Sequence, residues 1–211
     1  MDDYYDYADQ VIKYFQKLLA REFTRLKSLV SYDEINVLET VSDEYERLYK
    51  KIRRAFLILA EETYKDVADT YLTQQEKDLI SLDEEFVDEL LEGYNASSKV
   101  VFTNEYDRKR ARLVEALIAS PTKNAEVDSA MKSLMLMLNT YTILVADEAA
   151  LKVFEKIGVK KVRWIAEMDS KTCPVCRTRH QRVYKIKDLP PKPHFNCRCW
   201  FKIVREDVKT R

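Results

Sequence analysis

Apolar residues recur every three to four positions through most of the first 158 residues, with polar residues between them. This spacing places the apolar side chains on one face of an α-helix. Residues 4–30 therefore predict an amphipathic first helix, whose apolar positions are Val11, Ile12, Phe15, Leu18, Leu19, Phe23, Leu26, Leu29 and Val30.

A second helical pattern begins near Ser31 to Asp33 and continues without Gly or Pro to about Leu72. Glu34 follows Ser31 by three residues, which is the spacing of a capping box at the start of a helix. A periodic stretch of about 40 residues is longer than the usual globular helix. We therefore expect either one long rod or two helices that are broken near Val41 and Ser42.

Three more helices are predicted before residue 158. The segment Ser81–Glu84 has the pattern of a second capping box, and the short helix that it opens ends at Gly93, where a residue without a side chain permits a left-handed conformation. Further helices are expected at about 97–119 and 123–156, the latter ending before Gly158. This last helix is apolar on more than one face, which is typical of the central helix of a bundle.

The pattern changes after Gly158. Residues 159–166 and 199–204 are short segments rich in β-branched and aromatic side chains, and residues 182–186 resemble them. These segments predict antiparallel strands. Residues 189–193 contain three prolines, which lack the N–H that an interior strand needs. We thus expect a mainly α protein, in which a bundle of long helices (1–158) is followed by a small β-hairpin subdomain (159–211), an α+β arrangement.

The charges of these two parts are opposite. The chain has 36 Lys and Arg against 36 Asp and Glu, but residues 1–158 carry about −10 and residues 159–211 about +10. A basic segment can serve nucleic acid, an acidic partner or the acidic part of its own chain. No uninterrupted apolar run approaches the roughly 18 residues that cross a bilayer, and the acidic N-terminus lacks the apolar segment of a secretory signal. We therefore expect a soluble intracellular protein with no membrane partner.

All four cysteines and both histidines lie within residues 173–199. Cys173 and Cys176 have the C-x2-C spacing that lets one tight turn present two sulfurs to a single ion. Disulfides would require an oxidising compartment, and a redox-active pair would be expected at the end of a βαβ strand. The sequence thus favours a zinc site, which would make the C-terminal part a zinc-binding subdomain.

Five donors compete for the four positions of one tetrahedral ion. Cys173, Cys176 and His194 are the expected ligands, whereas Cys197 and Cys199 compete for the fourth position because alternate residues of an extended segment share a face. A further candidate, His180, is better interpreted as a solvated loop histidine.

Three thiolates and one imidazole are typical of a closed, structural zinc site. A catalytic zinc needs an open coordination position and a nearby general acid or base. The carboxylates nearest in sequence are Glu167 and Asp169. We interpret both as surface residues and expect no enzymatic activity, no catalytic residues and no small-molecule substrate.

The order of residues in the C-terminal part resembles the phage head morphogenesis family, the Mu F-like minor head proteins of tailed bacteriophages and prophages. The segments that carry the resemblance are Trp164, Asp169, Thr172–Cys176 and Pro190–Cys199, which cover about residues 162–201. The first 158 residues resemble the family only in their helical character. The resemblance implies a minor capsid protein of the virion, built into the phage head in the host cytoplasm, with portal, capsid or scaffold proteins as partners.

Two other functions compete with head assembly. A zinc-ribbon protein that binds nucleic acid is supported by the basic C-terminal part, with Trp164, Tyr184, Trp200 and Phe201 as stacking candidates and Lys185, Lys187 and Lys192 as phosphate contacts. A metal-dependent hydrolase would require Glu167 or Asp169 beside an open zinc. Contact with packaged DNA is also compatible with the head protein.

Overall fold

The computed structural model describes residues 6–31, 36–77, 82, 84–95, 99–194 and 197–204. Its helices are α1 (Asp6–Val30), α2 (Val37–Tyr71), α3 (Gln74–Lys77), α4 (Glu84–Glu92), α5 (Phe102–Ala119), α6 (Lys123–Lys156) and α7 (Pro174–Arg179). Its strands are β1 (Tyr94–Asn95), β2 (Val100–Val101), β3 (Lys161–Ile165), β4 (Val183–Lys185) and β5 (Trp200–Ile203). The predicted fold class, mainly helical with a small C-terminal sheet, is confirmed.

Helix α6 is the centre of the bundle and packs against α1, α2 and α5. Its ends are those that the sequence predicted, and its apolar residues are buried around most of the helix. Within the described residues, α6 is also the one helix that is long and apolar enough to cross a membrane, but 67 % of its most apolar stretch is buried inside the protein. Core packing therefore explains its composition.

Aromatic side chains from four helices meet in the core of the bundle. Phe15, Phe56, Phe102 and Tyr141 are fully buried. The rings of Phe15 and Phe56 lie 5.3 Å apart and those of Phe102 and Tyr141 lie 4.7 Å apart, both edge to face. This geometry places the positive edge of one ring on the negative face of the next, so these contacts stabilise the packing beyond simple burial.

Helix α2 begins later than the sequence predicted. Asn36 caps it, because its side-chain oxygen accepts a hydrogen bond from the Glu39 backbone N–H at 3.2 Å. The predicted start near Ser31 was wrong, because α1 continues to Val30 and α2 begins only at Val37. The proposed capping partner Glu34 lies outside the described residues. Of the two alternatives, the single rod is correct, since α2 runs through residues 41 and 42 without a break.

Two predicted features around residues 93–101 were also wrong. Gly93 follows α4, but its backbone is not left-handed. A side chain is excluded there because a Cβ atom would lie 2.8 Å from the Glu89 carbonyl oxygen. Helix α5 begins at Phe102 instead of residue 97, since β1 and β2 pair as a short hairpin before it. Ser81 and Ser97 themselves lie outside the described residues.

Among the glycines of the described residues, Gly158 has a left-handed backbone conformation, with φ +79°. Its N–H donates to the Glu155 carbonyl, and the Val159 N–H donates to the Phe154 carbonyl, each at 2.9 Å. These two bonds form a Schellman motif, which ends α6 and directs the chain into the sheet.

The C-terminal sheet has the order β4-β3-β5 with antiparallel pairing throughout, as predicted. Its inner face carries Val162, Trp164, Tyr184, Phe201 and Ile203, and its outer face carries Lys161, Arg163, Val183, Lys185 and Lys202. Strand β5 contacts α6. The segments between the strands, 166–182 and 186–199, carry all the candidate metal ligands.

Candidate metal centre

The C-P-x-C segment folds as the start of helix α7. Cys173 is its N-cap residue, and its Sγ accepts a hydrogen bond from the Cys176 backbone N–H at 3.3 Å. Pro174 occupies the first turn, where a missing N–H costs nothing. Cys176 lies one turn into the helix and is 2 % exposed. This N-terminal turn explains why the two sulfurs converge.

The second group of donors comes from the segment after β4. A 3-10 turn at Ile186–Asp188 leads into the proline-rich residues 189–193, which form no strand, as predicted. The Arg179 side chain in α7 donates to the Pro191 carbonyl at 2.7 Å and thereby holds this segment against the helix. His194 follows directly. Cys197 and Cys199 lie just before β5, and both are buried.

All five predicted donors come together around Cys176. Its Sγ lies 3.6 Å from the Cys197 Sγ and 3.8 Å from the His194 Nε2. Cys173, Cys176 and His194 have their ligand atoms within 4.8 Å of one another, and so have Cys176, Cys197 and Cys199. A tetrahedral zinc with Zn–S bonds of about 2.3 Å has sulfur–sulfur edges of roughly 3.7 Å. The cluster therefore has the composition and spacing to hold a metal ion.

A small cavity adjoins these donors. It has a volume of about 30 Å³, and Cys173, Cys176, His194 and Cys199 are among its lining residues. A volume of this size holds about one water molecule or one ion. His180 belongs to a different environment, because its Nδ1 accepts a hydrogen bond from the Ala166 backbone N–H at 3.1 Å. It supports the turn after β3 and is not part of the donor cluster.

The thiols of Cys176 and Cys197 resist ionisation. Burial raises the pKa of the Cys176 thiol to about 12. Contact with the Cys199 thiol, together with burial, raises the pKa of Cys197 well above its usual range. Burial would also raise the pKa of Cys173, but hydrogen bonds from Cys176 and His194 lower it overall. A bound dication would offset these costs by stabilising the thiolates, so metal binding must release protons.

Asp169 joins the two loops that carry the donors. Its carboxylate accepts two hydrogen bonds from the Arg198 guanidinium, at 2.7 and 2.8 Å, and one from the Lys171 backbone N–H at 2.9 Å. Arg177 donates to the Asp169 carbonyl at 2.6 Å and to the Thr172 carbonyl at 3.1 Å. The Arg198 contact lowers the pKa of Asp169. This residue thus ties the Cys173 loop to the Cys197–Cys199 loop.

Lys192 holds the donor loop against the helical bundle. Its Nζ lies 2.5 Å from the Asp147 carboxylate in α6 and 2.5 Å from the Cys199 carbonyl oxygen. The side chains of Lys192 and Asp147 are only 10 % and 6 % exposed. The expectation that Lys192 contacts phosphate was therefore wrong, because its ammonium is buried in contacts within the protein. Sequence reasoning missed this ion pair, since its partners lie 45 positions apart.

The aromatic residues considered for base stacking divide between the two faces of the sheet. Trp164 and Phe201 are 0 % and 4 % exposed and pack edge to face at 5.3 Å on the inner face. Tyr184 shares that face and packs on Trp164. The expectation of base stacking was therefore wrong for the buried Trp164 and Phe201, whereas Tyr184 is half-buried. Trp200 pairs with Ile165 on the outer face and is half-buried.

Fold and site together define a helical protein with a small C-terminal region whose cysteine and histidine cluster could hold a metal ion. A comparison with protein families matches residues 94–202 to the phage Mu protein F like protein family. This match covers just over half of the chain, including α5, α6, the C-terminal sheet and every candidate ligand. The chain therefore belongs to the phage Mu protein F-like family, a family of phage head morphogenesis proteins. No curated protein and no solved structure matches it significantly.

Proposed function

We propose that this chain is a non-enzymatic structural protein of the phage head, incorporated during assembly in the host cytoplasm and associated with the portal vertex. A single structural zinc ion holds its C-terminal region. The observation that carries the proposal is the cluster of five donors, which lies inside the segment matched by the family. The helical bundle supplies the contact surface for portal, capsid or scaffold proteins.

For the zinc we propose Cys173, Cys176, His194 and Cys199 as ligands. These four line the same cavity of about 30 Å³, and Cys197 does not; Cys197 lines the larger cleft beside α6, which His194 also borders. Thiolates and imidazole are the donors that zinc prefers, and three thiolates with one imidazole make a closed site. Cys197 remains in van der Waals contact with Cys176 as a buried neighbouring thiol.

The environment of the nearby carboxylates supports a structural role. Asp169 is engaged by Arg198, Lys171 and Thr172, so its oxygens have partners other than a reacting water. Glu167 borders the cavity at the ligands, whose volume of about 30 Å³ is far below the roughly 300 Å³ of a small-molecule pocket. A hydrolytic zinc would need an accessible fourth position and a free general base.

Metal analysis of the natively purified chain tests the zinc assignment. We expect one zinc per chain, the same stoichiometry for Cys197→Ser, and a strong loss of zinc for Cys199→Ser. The pair is matched, because both residues are buried thiols two positions apart. Loss of zinc in Cys197→Ser with retention in Cys199→Ser would reverse the ligand assignment, and absence of any metal from the unmodified chain would contradict the proposal.

Co-purification tests the assembly role. The tagged chain is expressed with the portal protein of the same phage, and we expect a stable complex in both the presence and the absence of DNase. Failure to associate with portal, capsid or scaffold protein, while the chain remains folded and loaded with zinc, would contradict the assembly role.

Contact with packaged DNA is a second role, supported by the outer face of the C-terminal sheet. Lys161 lies directly opposite Lys185, and Arg163 lies directly opposite Lys202. Like charges facing each other across strands destabilise a sheet unless a counter-charge is present. A phosphate backbone would supply that charge, and the half-buried Trp200 at the end of this face can contact a base or sugar.

Binding of duplex DNA at several salt concentrations tests this role. We expect affinity to fall steeply with salt, and the double variant Lys161→Gln, Lys202→Gln to reduce the logarithmic salt slope by about two, roughly one per lost phosphate contact. Lys13→Gln, an exposed lysine on α1, serves as the control. No binding at low salt, or the same change in the control, would refute DNA contact through this face.

A further inference from the structure

The seam between α1 and α2 changes character along its length. The two helices are antiparallel, since Arg25 pairs with Glu44 and Lys51 pairs with Glu22, at 2.7 and 2.8 Å. These ion pairs close one end of the hairpin. Beyond Lys51 the seam opens into a groove of about 710 Å³ with an apolar floor, formed by Tyr7, Val11, Tyr14, Ala55, Ile58 and Leu59.

This groove faces away from the core of the bundle. The opposite side of the α1–α2 hairpin packs against α6, which leaves the groove uncovered within the described chain. Tyr14 and Ile58, from the two facing helices, are each 44 % exposed. Single exposed apolar residues are common on protein surfaces, but a contiguous apolar floor between two helices is typical of an interaction site.

The rim of the groove is basic, although the helical part of the chain is strongly acidic overall. Arg47, Lys50, Lys51 and Arg54 line it, against the one lining acid Glu62. Arg47 and Lys51 are paired with buried glutamates of the hairpin. Lys50 contacts only the exposed Glu46, a surface pair of small value. Among the described residues no carboxylate forms an ion pair with Arg54, so Lys50 and Arg54 present positive charge to an incoming ligand.

The length of the groove fits one short helix. Residues 47–62 of α2 border it over fifteen helical steps of 1.5 Å, roughly 22 Å, and residues 7–14 of α1 border it over seven steps, roughly 10 Å. A helix of about 15 residues can therefore lie along α2 with about two of its turns over the apolar floor. A helix can place apolar side chains at i, i+3, i+4 and i+7 into such a seam. The apolar floor is unsuited to a nucleic-acid backbone, and the basic rim disfavours a basic helix.

We propose that this groove binds an acidic amphipathic helix of a partner protein. The apolar side chains of that helix occupy the floor between Tyr14 and Ile58, and its carboxylates pair with Lys50 and Arg54. The inference rests on the proposed function only for the origin of the partner among the phage head proteins. The chemistry of recognition follows from the groove alone.

The test measures binding of a synthetic 15-residue helical peptide to the full zinc-loaded chain by fluorescence anisotropy. The peptide carries Leu at positions i, i+3, i+4 and i+7 of each repeat and Glu at the flanking positions, and a matched peptide carries Lys in place of Glu. We expect the Glu peptide to bind about tenfold or more tightly than the Lys peptide, because like charges are repelled by the rim. Ile58→Asn and Arg54→Glu should each weaken the binding of the Glu peptide about tenfold.

Ile118→Asn is the control, since Ile118 on α5 is 71 % exposed and lies outside the groove. It should leave binding unchanged, and equal circular dichroism of all variants checks folding. Equal affinity for the two peptides, or an equal loss in Ile118→Asn, would overturn the proposal. If the chain self-associates and Ile58→Asn abolishes that self-association, the groove binds a second copy of the chain and the proposal is overturned. Peptide binding without portal association would instead refute the assembly role and leave the groove assignment intact.

Discussion

The helical bundle and the C-terminal region are stabilised in different ways. Of the twelve largest fully buried side chains, eleven lie in the bundle and one, Trp164, lies in the C-terminal region. The region after residue 158 instead contains four buried or half-buried cysteines and a histidine around one point. A chain segment of this size buries little apolar surface, and small segments of this kind usually need a metal, a disulfide or contact with a larger unit to fold. The bundle does not have that need.

The two regions also share a boundary. Lys192 from the donor loop reaches Asp147 in α6, and a cleft of about 580 Å³ beside this pair is lined by Glu148, His194 and Phe201 among others. The C-terminal region is thus attached to the bundle by a buried ion pair and by the contact of β5 with α6. Substitutions in each region and at their boundary separate these contributions.

The largest effect is expected for Cys176→Ser. Cys176 belongs to both groups of donors, and the loss of one thiolate removes much of a binding free energy that is roughly 10–16 kcal/mol for structural zinc sites. We expect at least a 100-fold loss of zinc affinity and unfolding of the C-terminal region, with the helical circular dichroism signal retained. Metal competition and the fluorescence of Trp164 and Trp200, both in the C-terminal region, measure the two effects. Val175→Ser, at the exposed neighbouring position, should behave like the unmodified chain; wild-type zinc affinity in Cys176→Ser would contradict the assignment.

Phe56→Ala should destabilise the helical bundle and leave zinc binding unchanged, which is the opposite of the effect expected for Cys176→Ser. Phe56 is fully buried between the rings of Phe15 and Phe102, so its truncation leaves a cavity and should cost about 3–5 kcal/mol of bundle stability. Urea denaturation followed by circular dichroism measures this loss, while zinc stoichiometry should stay at one. Ile118→Ala, on the exposed face of α5, should change stability by less than about 0.5 kcal/mol. A loss of zinc parallel to the loss of helix would show that the two regions are not separable.

Asp147→Asn tests whether the Lys192–Asp147 ion pair attaches the C-terminal region to the bundle. The substitution leaves the Lys192 ammonium buried without its counter-charge, which should cost roughly 3 kcal/mol. The double variant Asp147→Leu, Lys192→Met should recover most of that loss, because apolar replacement of a buried ion pair is often neutral. Urea denaturation with tryptophan fluorescence measures both. If Asp147→Asn is as stable as the unmodified chain, the pair does not fasten the two regions.

The smallest effect is expected for Glu148→Gln. Burial, followed by repulsion from Asp147 and Glu155, raises the pKa of Glu148 to about 7 from 4.5. The folded chain therefore holds this proton more tightly than the unfolded chain, and stability falls as pH rises from about 4.5 to 7. Glutamine removes the charge, so we expect a gain on the order of 1–3 kcal/mol at pH 8 and none below pH 4.5. Urea denaturation at both pH values measures it.

Glu46→Gln, at an exposed position, is the control for Glu148→Gln and should give no gain in stability at pH 8. Destabilisation of Glu148→Gln at pH 8 would show that the ionised carboxylate makes a favourable contact in the cleft.

The contrast between the regions also explains what could be predicted from the sequence. The ends of α6, the continuity of apolar positions in α1 and α2 and the strands around the cysteines follow from local periodicity, which the bundle and the sheet both retain. The spacing of Cys173 and Cys176 likewise indicated which donors would meet. These features depend on residues within a few positions of one another.

Features that depend on distant partners could not be predicted. The start of α2 at Asn36 depends on how α1 and α2 pack as antiparallel neighbours, and the late start of α5 depends on a two-residue strand pairing. The burial of Lys192 depends on Asp147. The burial of Trp164 depends on its cross-strand neighbour Phe201, which shares the inner face of the sheet. Periodicity gives a lysine or a tryptophan its place in an element but not its partner in space.

Hydrogen–deuterium exchange of the full chain, with and without a zinc chelator, tests most directly whether one ion holds the C-terminal region. We expect chelation to remove protection from residues 161–203 while α1, α2 and α6 keep theirs, and restored zinc to return it. Unchanged protection of β3 and β5 in the metal-free chain would contradict the metal-held region, because their fold would then depend on the sheet and the bundle alone.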